Sequence, residues 1–301
     1  MRTASSNETS PRSQSTTSGL PALSTYSAAH SHSTTVEARP RFKSTGSANG
    51  GTLAKTGSAY RYADFADWWL RSLQYLRDNS TLPAEQAIPD FISIQNEPDF
   101  TPSGNPFYAP WQAGCYLNSV ETSTKAGYPQ ALAAVKSAFQ SNGFGFVKFV
   151  GPDTTTASPS VISSYVNNVP AGSFAAIAHH PYQGSTNNVG NNTSNLSGLR
   201  AAYPTSDIYM TEFFGDDSYG PGIPDWMQHA LPMHNVFAIE KANTYLMWGL
   251  GLSPTSPSFC ALGQYSKFIR PGDWRSAAST TDPNVEVSMF RRTGDPGRAG
   301  R

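Results

Sequence analysis

The sequence is poor in charge and contains no long apolar run. Only 14% of its 301 residues are charged and the formal net charge is zero, so no strong field points to nucleic acid or to a membrane surface as a partner. A run of about 18 apolar residues, which a transmembrane helix needs, does not occur. The first residues also lack an apolar signal region, so the chain as given shows no export signal.

Cysteine is scarce as well. Cys115 and Cys260 are the two cysteines in the sequence. We interpret them as two small buried hydrophobes, with a single disulfide in an exported protein as the alternative. Because no cluster of His, Cys, Asp and Glu has metal-ligand spacing, the sequence predicts neither a metal site nor a cofactor.

Aromatic residues, in contrast, reach 12%, and Asn, Ser, Thr and Gly are plentiful. Such a composition suits a surface that handles carbohydrate, and it suits secreted proteins in general. Residues 1–41 are rich in Ser and Thr without apolar periodicity, so this leader is expected to be disordered or unrelated to the domain that follows.

Helical and extended patterns alternate five times along the rest of the chain. Strands are predicted at residues 91–96, 147–150, 174–178, 208–211 and 244–250, and helices at 60–77, 129–139, 158–167, 196–202 and 225–242. Within these helices, Ser158 and Pro159 are expected to start one, and Pro232 to kink or break another. The alternation predicts an α/β fold of the (β/α)8 TIM-barrel type. Since only five of the eight strands are found, we expect the barrel to be incomplete.

Two glutamates, Glu97 and Glu212, each follow an apolar, β-branched run that reads as a buried parallel strand. Barrel enzymes keep their catalytic groups at the carboxyl ends of such strands. Two carboxylates facing one cleft are what glycoside hydrolysis requires, and a separation of about 5–5.5 Å gives retention of configuration. Pro98 is expected to hold Glu97 in an extended backbone conformation, and the Asn96 amide can donate to a sugar hydroxyl or a carboxylate.

Several strings resemble glycoside hydrolase family 30, especially its xylan-cleaving, glucuronoxylanase-like members. They are residues 95–100 (QNEPDF), 210–212 (MTE) and 264–272 (QYSKFIRPG), together with 42–53. The resemblance runs in order from about residue 42 to about residue 290. It implies a (β/α)8 barrel with an attached β-domain, Glu97 as acid/base and Glu212 as nucleophile.

The same resemblance suggests substrate-binding residues. His180 and Tyr182 match a His-x-Tyr string that positions substrate and nucleophile, and Trp248 matches an aromatic residue that forms the floor of a sugar subsite. Further candidates for sugar stacking are Tyr108, Trp111 and Trp226. Each of these aromatic residues could instead be ordinary packing.

The resemblance also bears on the substrate. Asp99 and Phe100 after the Asn-Glu-Pro string favour xylan, and the absence of an arginine after Trp248 argues against strict dependence on glucuronate. We therefore expect a retaining endo-β-1,4-xylanase. The alternatives are a β-1,6-glucanase, a β-glucosylceramidase, an inactive polysaccharide-binding fragment and a non-functional fragment.

The domain division follows from where the resemblance holds. Residues 42–275 are predicted to form a partial barrel lacking strands one to three, residues 276–290 the start of a side β-domain, and residues 291–301 a disordered tail. The resemblance further implies a secreted, monomeric protein whose partner is the polysaccharide xylan, with no nucleic acid and no membrane.

Overall fold

The computed structural model describes residues 42–46, 50–100, 114–182, 193–213, 227–248, 257–282 and 284–292. A small antiparallel hairpin, β1 (Lys55–Thr56) and β2 (Ala59–Tyr60), comes first. It is followed by the long helix α1 (Tyr62–Asn79) and the short helix α2 (Ala84–Ala87). The hairpin was not predicted, because two-residue strands have too few positions to show an alternation.

A five-stranded parallel sheet forms the centre of the fold. Its strands are β3 (Phe91–Ile92), β4 (Lys148–Thr154), β5 (Ala176–His179), β6 (Ile208–Phe213) and β7 (Thr244–Met247), and each pairs with the next one in the chain. The helices between them are α3 (Tyr128–Ser141), α4 (Pro159–Val166), α5 (Thr193–Ala202) and α6 (Met227–His234), which continues as a π-helix (Asn235–Glu240). This α/β half-barrel confirms the predicted fold class and the five predicted strands.

The core explains why these elements form. All residues of β5 are buried, as in a parallel strand covered on both faces. On the outside of the sheet, α1 contributes Phe65 and Trp69 to the same core cluster as Val135 and Phe139 of α3, which is the apolar stripe predicted from their spacing. The Trp69 indole N–H also donates to the Ile94 carbonyl at 3.1 Å. Helix α1 thereby fixes the segment that leads from β3 to Glu97.

Two predicted helix boundaries can be compared with the structure. Helix α4 starts as predicted, with Ser158 at the N-cap and Pro159 in the first turn; the Ser158 hydroxyl contacts the Ser160 hydroxyl at 3.1 Å. Helix α6 runs through Pro232 and changes to π geometry at Asn235. The helix ends at Lys241, which takes a left-handed conformation with φ 60°.

One strand is longer than predicted. The strand predicted at residues 147–150 continues through Gly151, Pro152 and Asp153 to Thr154. The ladder with β5 pairs Gly151 with Ile177 and Pro152 with Ala178, and an irregularity follows before Thr154. The peptide bond between Gly151 and Pro152 is cis. The sequence alone suggested a turn because Gly and Pro usually interrupt strands.

The C-terminal part adds elements that the sequence did not indicate. They are α7 (Pro257–Ser266) and an antiparallel hairpin of β8 (Trp274–Ser276) and β9 (Met289–Arg291). Arg291, the first residue of the segment predicted as a disordered tail, pairs with Trp274 at the end of this hairpin. The division into domains at 275 and 290 stays a prediction. Residues 1–41 and 293–301 lie outside the described residues.

The cysteine predictions are half right. Cys115 is buried as expected, but Cys260 is exposed on α7 and the two cysteines do not form a disulfide, so the disulfide alternative is wrong. Among the described helices, none is both long and apolar enough to span a membrane.

Candidate active site

The two glutamates meet at the carboxyl edge of the parallel sheet. Glu97 follows β3 and is 8% exposed, and Glu212 lies in β6 with its side chain 12% exposed. One carboxylate oxygen of each glutamate and one ring nitrogen of His180 all lie within 4.8 Å of one another. The predicted convergence of the two carboxylates is therefore present in the structure.

The backbone of Glu97 differs from the prediction. Its φ is 47°, in the left-handed region, so the expected extended conformation is wrong. The Glu97 N–H donates to the Asp153 carbonyl and the Glu97 carbonyl accepts from Phe100 N–H, both at 3.0 Å. These bonds form a turn with Pro98 at its second position, where proline is favoured. They outweigh the general preference of a residue before proline for extended geometry.

His180 lies between the glutamates and is fully buried. Its Nδ1 atom is 2.9 Å from Glu97 Oε1 and 3.6 Å from Glu212 Oε1, and its Nε2 atom is 3.5 Å from Asp153 Oδ1. Burial by itself disfavours the charged ring, but the nearby carboxylates of Glu212, Asp153 and Glu97 raise the pKa of His180 well above its usual value. The carboxylates around the ring therefore favour its protonated form.

Tyr182 contacts the second glutamate directly. Its hydroxyl donates to Glu212 Oε1 at 3.3 Å. The Tyr182 ring meets the His180 ring edge-on at a centroid distance of 5.8 Å and packs on Phe213 at 5.7 Å. These aromatic contacts fix the donor, so Glu212 accepts a hydrogen bond from a rigidly held group.

The other predicted site residues are Asn96, Trp248 and three further aromatic residues. The Asn96 Oδ1 atom is buried and has no hydrogen-bond partner among the described residues. Trp248 follows β7, its backbone N–H donates to the Phe213 carbonyl at 2.9 Å, and its side chain is 62% exposed. An exposed indole thus stands one strand away from Glu212. Tyr108, Trp111 and Trp226 lie outside the described residues.

Asp153 was not predicted to belong to the site. It is fully buried, it has φ 68°, and its Oδ1 atom accepts a hydrogen bond from the hydroxyl of Thr211, the residue before Glu212. The sequence did contain a signal, an aspartate after an apolar strand. It was interpreted as part of a turn because of the preceding Gly151 and Pro152.

A buried pair behind the site was also missed. His179 Nε2 lies 2.6 Å from Glu240 Oε1, and both side chains are inaccessible to solvent. His179 Nδ1 faces the carbonyl of His180 at 3.1 Å. No local pattern could have shown this pair, because Glu240 belongs to the distant π-helix.

The ligand atoms of Glu97, His180 and Glu212 are close enough to hold a divalent metal ion. The same carboxylates favour a protonated His180, and a protonated ring nitrogen cannot bind a metal ion. The arrangement can move a proton at one carboxylate while the other stays ionised as a nucleophile.

Comparison with solved structures supports the half-barrel fold. The chain is similar to a GH30 endoxylanase from Clostridium papyrosolvens C71, with a TM-score of 0.53 and 21% identity, over 84% of this chain and 57% of that chain. The chain thus spans less than two thirds of that structure's length. At this identity, the similarity shows the fold alone.

Two more distant structures are similar over a smaller part of the chain. A GH39 β-xylosidase from Caulobacter crescentus has a TM-score of 0.37 and 16% identity over 64% of this chain and 40% of that chain. A glucosidase from Croceicoccus marinus has a TM-score of 0.37 and 13% identity over 62% of this chain and 38% of that chain. Similarities at this level carry no argument. Neither protein-family models nor curated proteins give a match.

Proposed function

We propose that this protein is a retaining glycoside hydrolase that cleaves β-1,4-xylan by double displacement at Glu97 and Glu212. The observation that carries the proposal is the approach of one oxygen of each carboxylate to within 4.8 Å. Retaining glycosidases separate their carboxyl groups by about 5–5.5 Å, whereas inverting enzymes need about 6.5–9.5 Å to admit a water molecule. The short separation therefore favours a covalent glycosyl-enzyme intermediate.

In the proposed first step, Glu212 attacks the anomeric carbon and Glu97 protonates the leaving oxygen. The Tyr182 hydroxyl, 3.3 Å from Glu212 Oε1, stabilises the ionised nucleophile before attack. Once Glu97 has given up its proton, the His180 imidazolium at 2.9 Å stabilises the resulting carboxylate. In the second step, Glu97 removes a proton from water, which attacks the anomeric carbon and releases Glu212.

Fewer observations support xylan as the substrate than support the two-glutamate mechanism. The sequence resemblance around Asp99 and Phe100 favours it, and the similar fold includes a protein described as an endoxylanase. The exposed indole of Trp248 beside the site provides an apolar face for a sugar ring. In the structure, Asp99 accepts hydrogen bonds from the Thr155 backbone N–H and hydroxyl at 2.9 and 3.2 Å, so its role there is to hold the loop that carries Glu97.

The roles of the two glutamates can be separated by rescue experiments. Glu212→Ala should abolish turnover on an aryl β-xyloside, and added azide should restore turnover by attacking in place of the missing carboxylate. Glu97→Ala should lose activity on xylan but keep the first step on substrates with good leaving groups, because these need little protonation. Glu121→Ala, on an exposed glutamate away from the site, is the matched control and should behave like the wild type.

The configuration of the first product, followed by NMR, tests the retaining mechanism directly. Initial release of the β-anomer is expected, and release of the α-anomer would contradict it. Reducing-sugar release from plain xylan distinguishes the enzyme from a fragment that only binds polysaccharide. If xylan is inert while a β-glucan is cleaved with the same dependence on Glu97 and Glu212, the substrate assignment fails and the mechanism stands.

A further inference from the structure

We infer that Asp153 is a positioning residue that holds the two candidate catalytic glutamates and His180 in one arrangement. The inference goes beyond the proposed function but rests on it for its kinetic consequences. Asp153 is fully buried at the end of β4, the strand next to the one that leads to Glu97. It contacts each of the three groups, directly or through one neighbour.

The first contact is made by the backbone. The Asp153 carbonyl accepts the Glu97 N–H at 3.0 Å. Both residues have positive φ, 68° for Asp153 and 47° for Glu97, a conformation that is strained for residues other than glycine and that clusters at functional sites. Aspartate is among the residues that tolerate it best. The hydrogen bond therefore joins two strained backbones and sets the direction in which the Glu97 side chain leaves the loop.

The second contact is made by the carboxylate. Asp153 Oδ1 accepts the hydroxyl of Thr211, which also lies 3.2 Å from the His179 carbonyl. Because Thr211 immediately precedes Glu212, this bond fixes β6 at the position from which the nucleophile projects. Hydrogen bonds to a buried carboxylate are roughly twice as strong as neutral ones, so this connection is stiff.

The third contact concerns His180. Its Nδ1 atom faces the carboxylates of Glu97 and Glu212, and its Nε2 atom lies 3.5 Å from Asp153 Oδ1. Both ring nitrogens therefore face a carboxylate oxygen. Asp153 supplies the carboxylate on the side away from the glutamates, so it favours this orientation of the ring and its charged form.

The test uses the isosteric variant Asp153→Asn and two readouts. The first is the protonation of His180, followed by ¹⁵N NMR of its ring against pH. Loss of a carboxylate within about 4–6 Å should lower the titration midpoint by about 1 to 3 pH units. The second is kinetics on an aryl β-xyloside. We expect kcat to fall by about 10- to 100-fold, the effect of a lost hydrogen bond to a charged group, with KM within about twofold of the wild type.

Two further variants isolate the carboxylate contact in case Asp153→Asn does not fold. Thr211→Val removes the hydroxyl at nearly constant volume and should lower kcat, and Thr211→Ser should restore it. Asp67→Asn, on an exposed aspartate of α1 that pairs with Arg71, is the matched control and should leave both readouts unchanged.

The inference is overturned if Asp153→Asn keeps the wild-type His180 midpoint and kcat, or if Thr211→Val and Thr211→Ser have the same kcat. If the wild type has no glycosidase activity, the proposed function fails, and the NMR measurement decides the role of Asp153 by itself. A lowered midpoint then supports the positioning role, and an unchanged midpoint overturns it.

Discussion

Replacing Glu240 gives the sharpest test of how the buried polar pair behind the site contributes to stability. In the variant Glu240→Leu, His179 loses the carboxylate 2.6 Å from its Nε2 atom and remains fully buried. The backbone contacts of this position persist, because Arg200 Nε donates to the Glu240 carbonyl at 2.7 Å and not to its side chain. The variant therefore removes one partner of a buried pair and little else.

The size of the effect follows from this burial. Removing one member leaves the other as a buried polar group without its partner, which costs about 1–3 kcal/mol. A whole domain is expected to have roughly 5–15 kcal/mol of stability. With about 2–4 °C per kcal/mol for a domain of this size, the melting temperature should fall by about 2–12 °C. Glu240→Gln keeps a hydrogen-bonding group against His179 and should cost less than Glu240→Leu.

Urea denaturation followed by circular dichroism measures these differences. A double variant, Glu240→Leu with His179→Leu, serves as the matched control, because replacing both partners by apolar groups should recover much of the loss. The reasoning is refuted if Glu240→Leu is as stable as the wild type, or if Glu240→Gln is as damaging as Glu240→Leu.

Other predictions concern single side chains. Burial raises the pKa of Asp99 despite the hydrogen bonds from Thr155. Ionisation of Asp99 therefore lowers the stability of the folded state. This loss of stability is absent below about pH 3.9, the pKa in the unfolded chain, and is complete above the raised pKa of the folded state. Asp99→Asn should thus raise the free energy of unfolding at pH 7 but not at pH 3; equal changes at both would contradict this. Trp248→Ala should raise KM for xylan while changing stability by less than about 0.5 kcal/mol, because its side chain is 62% exposed. Lys241→Gly, at φ 60°, should stabilise the fold by about 0.5–1 kcal/mol in thermal melts; a lower melting temperature would show that Lys241 is not strained.

The sheet could be predicted from the sequence because its strands are buried on both faces. Such strands read as continuous β-branched and apolar runs, and β5 and β6 lie where those runs are. Elements without such a signal were missed. The hairpin of β8 and β9 joins short segments separated by a long connection, and α7 combines a Pro-Ser start with a weak apolar stripe.

Within the site, what could be predicted were side chains placed at the ends of strands. Glu97 and Glu212 follow from that rule, since parallel strands end at one edge, whereas His180 was suggested only by the resemblance to the family. The positive φ of Glu97 did not, because it depends on a hydrogen bond to Asp153 from a different strand. The pairing of His179 with Glu240 likewise depends on packing between distant segments, which local patterns do not encode.

The distance between the glutamates has a consequence for the shape of the sheet. Glu97 follows β3 and Glu212 lies in β6, with β4 and β5 between them. In a flat sheet three strand spacings amount to about 14 Å, yet the nearest carboxylate oxygens are within 4.8 Å. Two glutamate side chains leaning toward each other cover only part of the difference, and curvature of the sheet must supply the rest. Helices α1 and α3 pack against this part of the sheet, in one core cluster with Ile92 of β3 and Phe149 of β4. In the proposed mechanism, retention of configuration depends on the spacing of the glutamates. Substitutions in these helices that flatten the sheet are therefore expected to impair the proposed reaction without touching either glutamate.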